Sequence, residues 1–184
     1  MPGVLRTRRL VLRPWQDSDR EPFAAMNADA EVMRHFPGRL TRVESDALID
    51  RLCEKAASDG YAFHAVALHD GTFIGLAGLA KPGFKAPFTP CTEVGWRLAR
   101  AYWGKGYATE AASAAIDWGF GELGLGEIVS FTALSNDRSE RVMQRLGMVR
   151  DPGEDFDHPS LPGGHPLQRH MLYRLTRAAW NVPQ

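Results

Sequence analysis

Tyr102-Trp103-Gly104-Lys105-Gly106-Tyr107-Ala108-Thr109-Glu110-Ala111 decides how the rest of this chain is read. Two glycines in a short turn open directly into an alanine-rich amphipathic helix. The small residues at 104, 106 and 108 let backbone N–H groups approach a ligand, and the positive end of the helix dipole favours an anion there. The turn therefore reads as a phosphate cradle. An isolated Gly-x-Gly is equally an ordinary strand-to-helix connection. It is not a dinucleotide fingerprint, because no third glycine follows at the required place and the turn comes after the fourth strand of the chain. Nor is it a Walker A loop, since Lys105 sits between the glycines.

On either side the chain mixes strands and helices without a dividing linker. Residues 5–13 set Leu10 and Leu12 against Arg9, Val11 and Arg13 and read as a first strand, ended by Pro14. Asp17 or Ser18 caps a helix running to about residue 30. Thr41 and Glu44 have capping-box spacing ahead of a second helix, whose Leu48, Ile49, Leu52 and Ala56 share one face before Gly60 stops it. Residues 61–68 and 72–80 are strands joined by His69-Asp70-Gly71, a tight hairpin signal. A loop with three prolines over 81–90 precedes the fourth strand at 93–98, which feeds the glycine turn. The helix after the cradle spans 107–123, a fifth strand spans 128–134, and a helix over 137–146 ends at Gly147. The tail returns to extended structure around 167–175.

Composition narrows the function classes. At 184 residues the chain is long enough to bury roughly two-thirds of its unfolded surface without a metal or disulfide. Lys plus Arg and Asp plus Glu are 22 each, so the zero formal charge lacks the electrostatic footprint of a nucleic-acid-coating protein. Cys53 and Cys91 lie far apart without Cys-x-x-Cys spacing, which fits a reducing compartment, the cytoplasm by default. The amino-terminal Arg6, Arg8, Arg9 and Arg13 have no apolar signal core beside them, and no run of sequence approaches a membrane span, so no membrane partner is expected.

Three stretches together resemble the GNAT superfamily of acetyl-CoA-dependent N-acetyltransferases, in its RimJ/RimL-like branch. Glu93-Val94-Gly95-Trp96-Arg97-Leu98 is similar to the family strand that leads into the cradle. Asn136-Asp137-Arg138-Ser139 with Leu146-Gly147-Met148 is similar to its Asn-x-x-Ser turn, apolar helix and Leu-Gly-Phe/Met signature. Leu5, Thr7, Arg9, Leu10, Leu12 and Arg13 resemble the first strand of the branch. Trp103 stands where many members have Gln or Arg, a variant common in this branch. The resemblance covers nearly the whole chain, residues 1–184 as one N-acetyltransferase domain. It implies an α/β fold of α+β type: a mostly antiparallel, twisted sheet flanked by helices and splayed between its fourth and fifth strands.

The chemistry that the resemblance implies is transfer of an acetyl group from acetyl-CoA to a primary amine in a ternary complex, with no metal. The N–H groups of Gly104, Lys105, Gly106, Tyr107, Ala108 and Thr109, following Trp103, would wrap the pyrophosphate, with Lys105 adding charge. The pantetheine arm would lie in the splay against backbone groups of Trp96, Arg97 and Leu98. Asn136 would hydrogen-bond that arm, or only cap the helix at Asp137. A lysine-like amine has a pKa of about 10.4, so a proton must leave before attack. Glu93 is the candidate base, on the same side of its strand as Gly95 and Arg97; the alternative is an ion pair with Arg97 or Arg13. Ser139, and less directly Tyr173, are candidates to stabilise or protonate the departing thiolate, although a serine so early in a helix is also routine. A backbone N–H near Leu98, at a bulge, would meet the oxyanion.

His158, His165 and His170 with Asp155 and Asp157 invite a metal reading, but the intervening prolines and glycines make a loop and the spacings are not those of a closed zinc site. Residues 156–170 and the region of Met33 to Phe36 read instead as a lid over the acceptor pocket. His170 and His64 are alternative bases, and Trp15, Trp96, Trp103, Trp118 and Trp180 read as core or interface aromatics. The acceptor is a small-molecule amine or a protein amino terminus. Another donor such as succinyl-CoA, a non-catalytic CoA-binding module and a homodimer remain open.

Overall fold

A computed structural model describes residues 3–180. In chain order its elements are β1 (Leu5–Arg6), β2 (Leu10–Arg13), α1 (Arg20–Ala28), α2 (Arg42–Asp59), β3 (His64–Leu68), β4 (Phe73–Ala80), β5 (Glu93–Leu98), α3 (Tyr107–Gly121), β6 (Glu127–Ala133), α4 (Asp137–Arg145), β7 (Val149–Arg150), β8 (Phe156–Asp157), β9 (Arg169–Thr176) and α5 (Arg177–Trp180). One sheet holds the strands in the order β1-β2-β3-β4-β5-β6-β9-β7, with β8 also against β9. Every pairing is antiparallel except that of β5 with β6.

Local sequence accounts for most boundaries. Thr41 accepts the Glu44 amide while the Glu44 carboxylate accepts the Thr41 amide, a reciprocal cap for α2, and Gly60 closes it at φ +83°. The hairpin between β3 and β4 is closed by the Gly71 amide on Leu68 and by Asp70 accepting from Thr72. At the start of α1 the capping acid is neither Asp17 nor Ser18. Asp19 reaches back to the Gln16 amide and pairs through both oxygens with Arg13, so a short 3₁₀ turn at Asp17–Asp19 precedes the helix.

The opening segment differs from a single strand over 5–13. Leu5 pairs with Leu12, so the chain reverses on itself at residues 7–9. Thr7 makes this possible: its amide donates to the Leu10 carbonyl and its hydroxyl accepts the Leu10 amide, closing the turn with a side chain. Each later strand is consequently one higher in number, and the expected split between fourth and fifth strands lies between β5 and β6.

Helices cover both faces. On one, α3 packs Ala112, Ala115 and Ile116 onto Leu79, Val94 and Ile128, and α4 adds Val142, Met143 and Leu146. On the other, α1 and α2 set Phe23, Met26, Ile49 and Leu52 over Ala62 and Leu76. Alternation along β5 sends Val94, Trp96 and Leu98 toward α3, and Glu93, Gly95 and Arg97 toward α1 and α2.

Gly75 sits where β3 and β4 shift register, at φ +150°. A methyl group there would run into the Arg97 carbonyl and come within 2.7 Å of the Leu98 Cα, both backbone atoms that cannot turn aside. Gly75→Ala should therefore lower the unfolding free energy by about 2–4 kcal/mol, read as a lower denaturant midpoint.

Candidate active site

The strands β5 and β6 run parallel and share one register pair, Glu93 beside Val129, held by the Val129 amide on the Thr92 carbonyl. Beyond it they part. The gap opens as a cleft of about 780 Å³ that passes through the sheet, with Ser130 and Thr132 on the α3 side and Phe131 and His170 on the other. The facing edges of both strands leave backbone groups without a strand partner, a place for an extended ligand to lie as an added strand.

The glycine turn forms one end of this cleft. Gly104 and Gly106 take φ +73° and +80°, left-handed conformations that the turn requires. Gly106 is also the N-cap of α3 and offers no side-chain cap, so the first-turn amides of Tyr107, Ala108 and Thr109 face outward. Trp103 pins the approach to the turn, its indole N–H donating to the Leu98 carbonyl at 2.7 Å. A set of converging amides at a helix N-terminus suits the diphosphate of coenzyme A.

Two residues of the amino-terminal hairpin, Thr7 and Arg9, brace the turn, a role that nothing local to the turn marks. The Arg9 guanidinium donates to the Lys105 carbonyl, and Arg9 and Thr7 both bind Glu110, through a 2.6 Å ion pair and a 2.6 Å hydroxyl bond. The Arg9 amide donates to the same carboxylate. Burial alone would raise the Glu110 carboxyl; the bonds from Thr7 and Arg9 outweigh it and hold the group below its usual range. At the other side of the cleft Arg138, Arg141 and Arg145 line one helix face, and Arg138 lies 4.6 Å over the Trp103 ring. Their spacing of three and four was legible as a stripe.

Glu93, partly buried, stands where the strands begin to part and lines the cleft. Neither expected arginine takes it: Arg13 pairs with Asp19, and Arg97 donates to Asn27. Among the described residues no hydrogen bond or ion pair engages the Glu93 carboxyl. Desolvation pushes its pKa up to about 8, opposed only weakly by the field of Lys55.

Asn136 ends β6 and caps α4, its Oδ1 accepting the Ser139 amide at 3.3 Å. Its Nδ2 spends both hydrogens, on Thr132 Oγ1 and Ser139 Oγ. What it retains for a ligand is the second lone pair of Oδ1. Ser139 lines the cleft with a hydroxyl hydrogen of its own to give. Tyr173 is placed elsewhere: it lies on the α3 face under α4, opposite the side to which Glu93 points, and its hydroxyl donates to Glu140 at 2.9 Å. Burial and that carboxylate raise its pKa, and it does not line the cleft. The expected bulge near Leu98 is also absent from β5, whose register with β4 is unbroken from Glu93 to Leu98; the irregularity is on the far side of β4, and the Ala99 amide is already bound to Ile74.

The two segments expected as a lid meet along one side of the cleft. Val32, His35 and Phe36 line the cleft with His158, Ser160 and Leu161, and His35 bonds Ser135 across the mouth at 3.3 Å. Phe84, Phe88, Phe131 and Phe156 build an aromatic wall into which His158 and His170 pack, their rings 4.9 Å apart. Burial lowers the pKa of both imidazoles. His170 reaches the cleft, whereas His64 is buried in β3 with Nδ1 on the Ala62 carbonyl. Asp155 is bound by Arg150 and Asp157 by Arg169. Among the described residues no three His, Cys, Asp or Glu side chains gather as a metal site would need.

A split sheet joined to an amide cradle defines an acyl-CoA-binding fold, and comparison with known proteins names it. The sequence profile of the acetyltransferase (GNAT) domain matches residues 9–149, and the chain belongs to that family. Its relatives include the uncharacterized N-acetyltransferase YnaD of Bacillus subtilis, 27% identical over 178 residues that cover 96% of this chain and 99% of YnaD. The FsC-acetyl coenzyme A-N(2)-transacetylase of Aspergillus fumigatus is 31% identical, with 96% of this chain and 77% of that protein covered. Among solved structures, an acetyltransferase from Agrobacterium tumefaciens superposes with a TM-score of 0.76 at 28% identity, covering 96% of each chain. RimL, a ribosomal L7/L12 alpha-N-protein acetyltransferase solved in complex with coenzyme A, shares the fold at a TM-score of 0.75 and 13% identity, covering 95% of this chain and 98% of its own.

The raised Glu93 pKa carries a stability consequence. In the unfolded chain this carboxyl ionises near its ordinary value, and in the folded protein near 8. Between these values the unfolded state releases a proton that the folded state keeps, so the stability tied to neutral Glu93 is complete at acid pH and is lost as pH rises through 8. Glu93→Gln should match the wild type in thermal unfolding near pH 4 and unfold at a higher temperature than the wild type at pH 9.

Proposed function

We propose that the protein is an acetyl-CoA-dependent N-acetyltransferase acting on a primary amine by direct attack in a ternary complex, with Glu93 as general base. The observation that carries this reading is the Glu93 carboxyl, unpaired at the point where the sheet splits and held near pKa 8. An ordinary glutamate would take a proton from an amine of pKa about 10.4 at a cost of about 8 kcal/mol, whereas a carboxyl near 8 reduces this to about 3 kcal/mol. Burial thus makes a weak base into a useful one.

Bound acetyl-CoA supplies a thioester whose acyl carbon accepts the amine. The amides from Gly104 to Thr109 and Lys105 hold the diphosphate, the free edge of β5 from Trp96 to Leu98 aligns the pantetheine arm, and Asn136 accepts from it through Oδ1. Glu93 takes the amine proton at its carboxyl, directly or through a water. Ser139 donates from its hydroxyl to the departing sulfur. Tyr173, committed to Glu140, has no part in this sequence.

Isothermal titration with acetyl-CoA should give one micromolar site per chain, and succinyl-CoA should bind more weakly. With an accepted amine, kcat/KM measured by thiol release should rise with pH to a plateau with an apparent pKa of about 8. Glu93→Gln should lower kcat about 100-fold or more, remove that inflection and leave acetyl-CoA binding intact. Absence of binding to any acyl-CoA would make the glycine turn scaffold and end this reading.

A further inference from the structure

Arg97 is the other polar side chain that β5 turns into the acceptor side of the cleft, four residues from Glu93, with the Phe63 ring packed over Gly95 between them. At about 3.3 Å per residue, some 13 Å separate the two Cα atoms, a span that both side chains shorten. The guanidinium is walled by Phe36 at 4.5 Å and Phe23 at 5.9 Å. Its Nη1 donates to Asn27 Oδ1 at 2.6 Å and lies 3.2 Å from the Met33 sulfur, both neutral groups. Nε is buried with no acceptor. Among the described residues no carboxylate pairs with it, whereas the partly buried Arg13 has Asp19 and Arg150 has Asp155.

A buried cation without a counter-charge is costly, and here the cost shows as a guanidinium pKa pulled down to about 10. Folding gains little from such a group, since a neutral amide would serve Asn27 as well. What the arrangement suits is an anion arriving in the cleft that Arg97 lines: a forked donor, preoriented by two aromatic rings and a fixed Asn27, whose charge no carboxylate among the described residues neutralises. The other charged side chains at this end, Glu31 and Arg34, lie on the exposed rim.

We infer that the acceptor is a small amine that also carries a carboxylate, bound with its carboxylate on Arg97 and its amine toward Glu93. This rests on the acetyltransferase reading above and specifies its substrate class. The size of the space agrees, since a cleft of about 780 Å³ that also takes the pantetheine arm leaves room for a short-chain amino acid.

The test is a series of ω-amino carboxylates of increasing chain length, each beside its carboxamide and its decarboxylated amine, assayed by thiol release with saturating acetyl-CoA. The wild type should favour the carboxylate over its matched amide by at least about tenfold in kcat/KM. Arg97→Gln should bring that ratio to within about threefold, mainly through KM, and Arg97→Lys should restore part of it. A purely structural role for Arg97 would lower all three acceptor types together and leave the ratio unchanged, which would overturn the inference. Equal use of carboxylates and amides by the wild type, or a preference for peptide amino termini lacking a carboxylate, would also overturn it while leaving the acetyltransferase reading intact. Failure of the wild type to bind acetyl-CoA by titration would instead sink that reading and this inference with it.

Discussion

Backbone hydrogen-bonding groups must find partners, and the site of this protein is made by denying them to two neighbouring strands. Between β5 and β6 the ladder closes at Glu93 and Val129 and then stops. Everything nearby follows from that single shared pair. It sets the apex of the cleft, it leaves β5 with one edge satisfied by β4 and the other open, and it fixes Glu93 at the point where the strands part. Helix α3 supports the arrangement from one face through Val94 and Ile128, and α1 and α2 from the other.

Electrostatics then divide the cleft into zones. The glycine turn presents amides, the α4 face presents Arg138, Arg141 and Arg145, and the side facing α1 and α2 is aromatic with isolated charges set into it. In such surroundings a charge is expensive unless paired, and the two ionisable β5 side chains that line the cleft show opposite responses. Burial favours the neutral form of each, raising the Glu93 pKa and lowering that of Arg97. Their positions on one strand face make them a matched pair of unsatisfied groups across the aromatic ring of Phe63.

Much of this was legible in the sequence because local rules govern it. The glycine turn, the capping box at Thr41, the Asp-Gly hairpin and the alternation along β5 each depend on neighbours within a few residues, and α2, β5 and α3 begin at their expected residues, whereas β3 begins three residues later than its expected start at 61. The placement of Glu93, Gly95 and Arg97 on one face likewise follows from a period of two. What was not legible depends on pairs distant in the chain. The chain reversal at Thr7 is stabilised by Glu110 as much as by Leu10, so residues 5–13 look like a continuous strand until α3 is present. Tyr173 has the right chemistry for a proton donor, but its face of β9 is set by pairing with β6, which no local pattern specifies. Asn136 was open to two readings, and its bonds to Thr132 and Ser139 establish the cap.

The Arg9 to Glu110 contact spans 101 residues of chain, yet it braces a turn only a few residues long. Such a non-local closure carries a loop-entropy cost that contacts within the turn do not. The glycine turn and the first turn of α3 can take shape from local preferences alone, but their carbonyl and carboxylate remain unbraced until the amino-terminal hairpin docks. A partly unfolded chain therefore carries the glycine turn without its brace, and the rigid shape of the turn belongs to the completed tertiary structure.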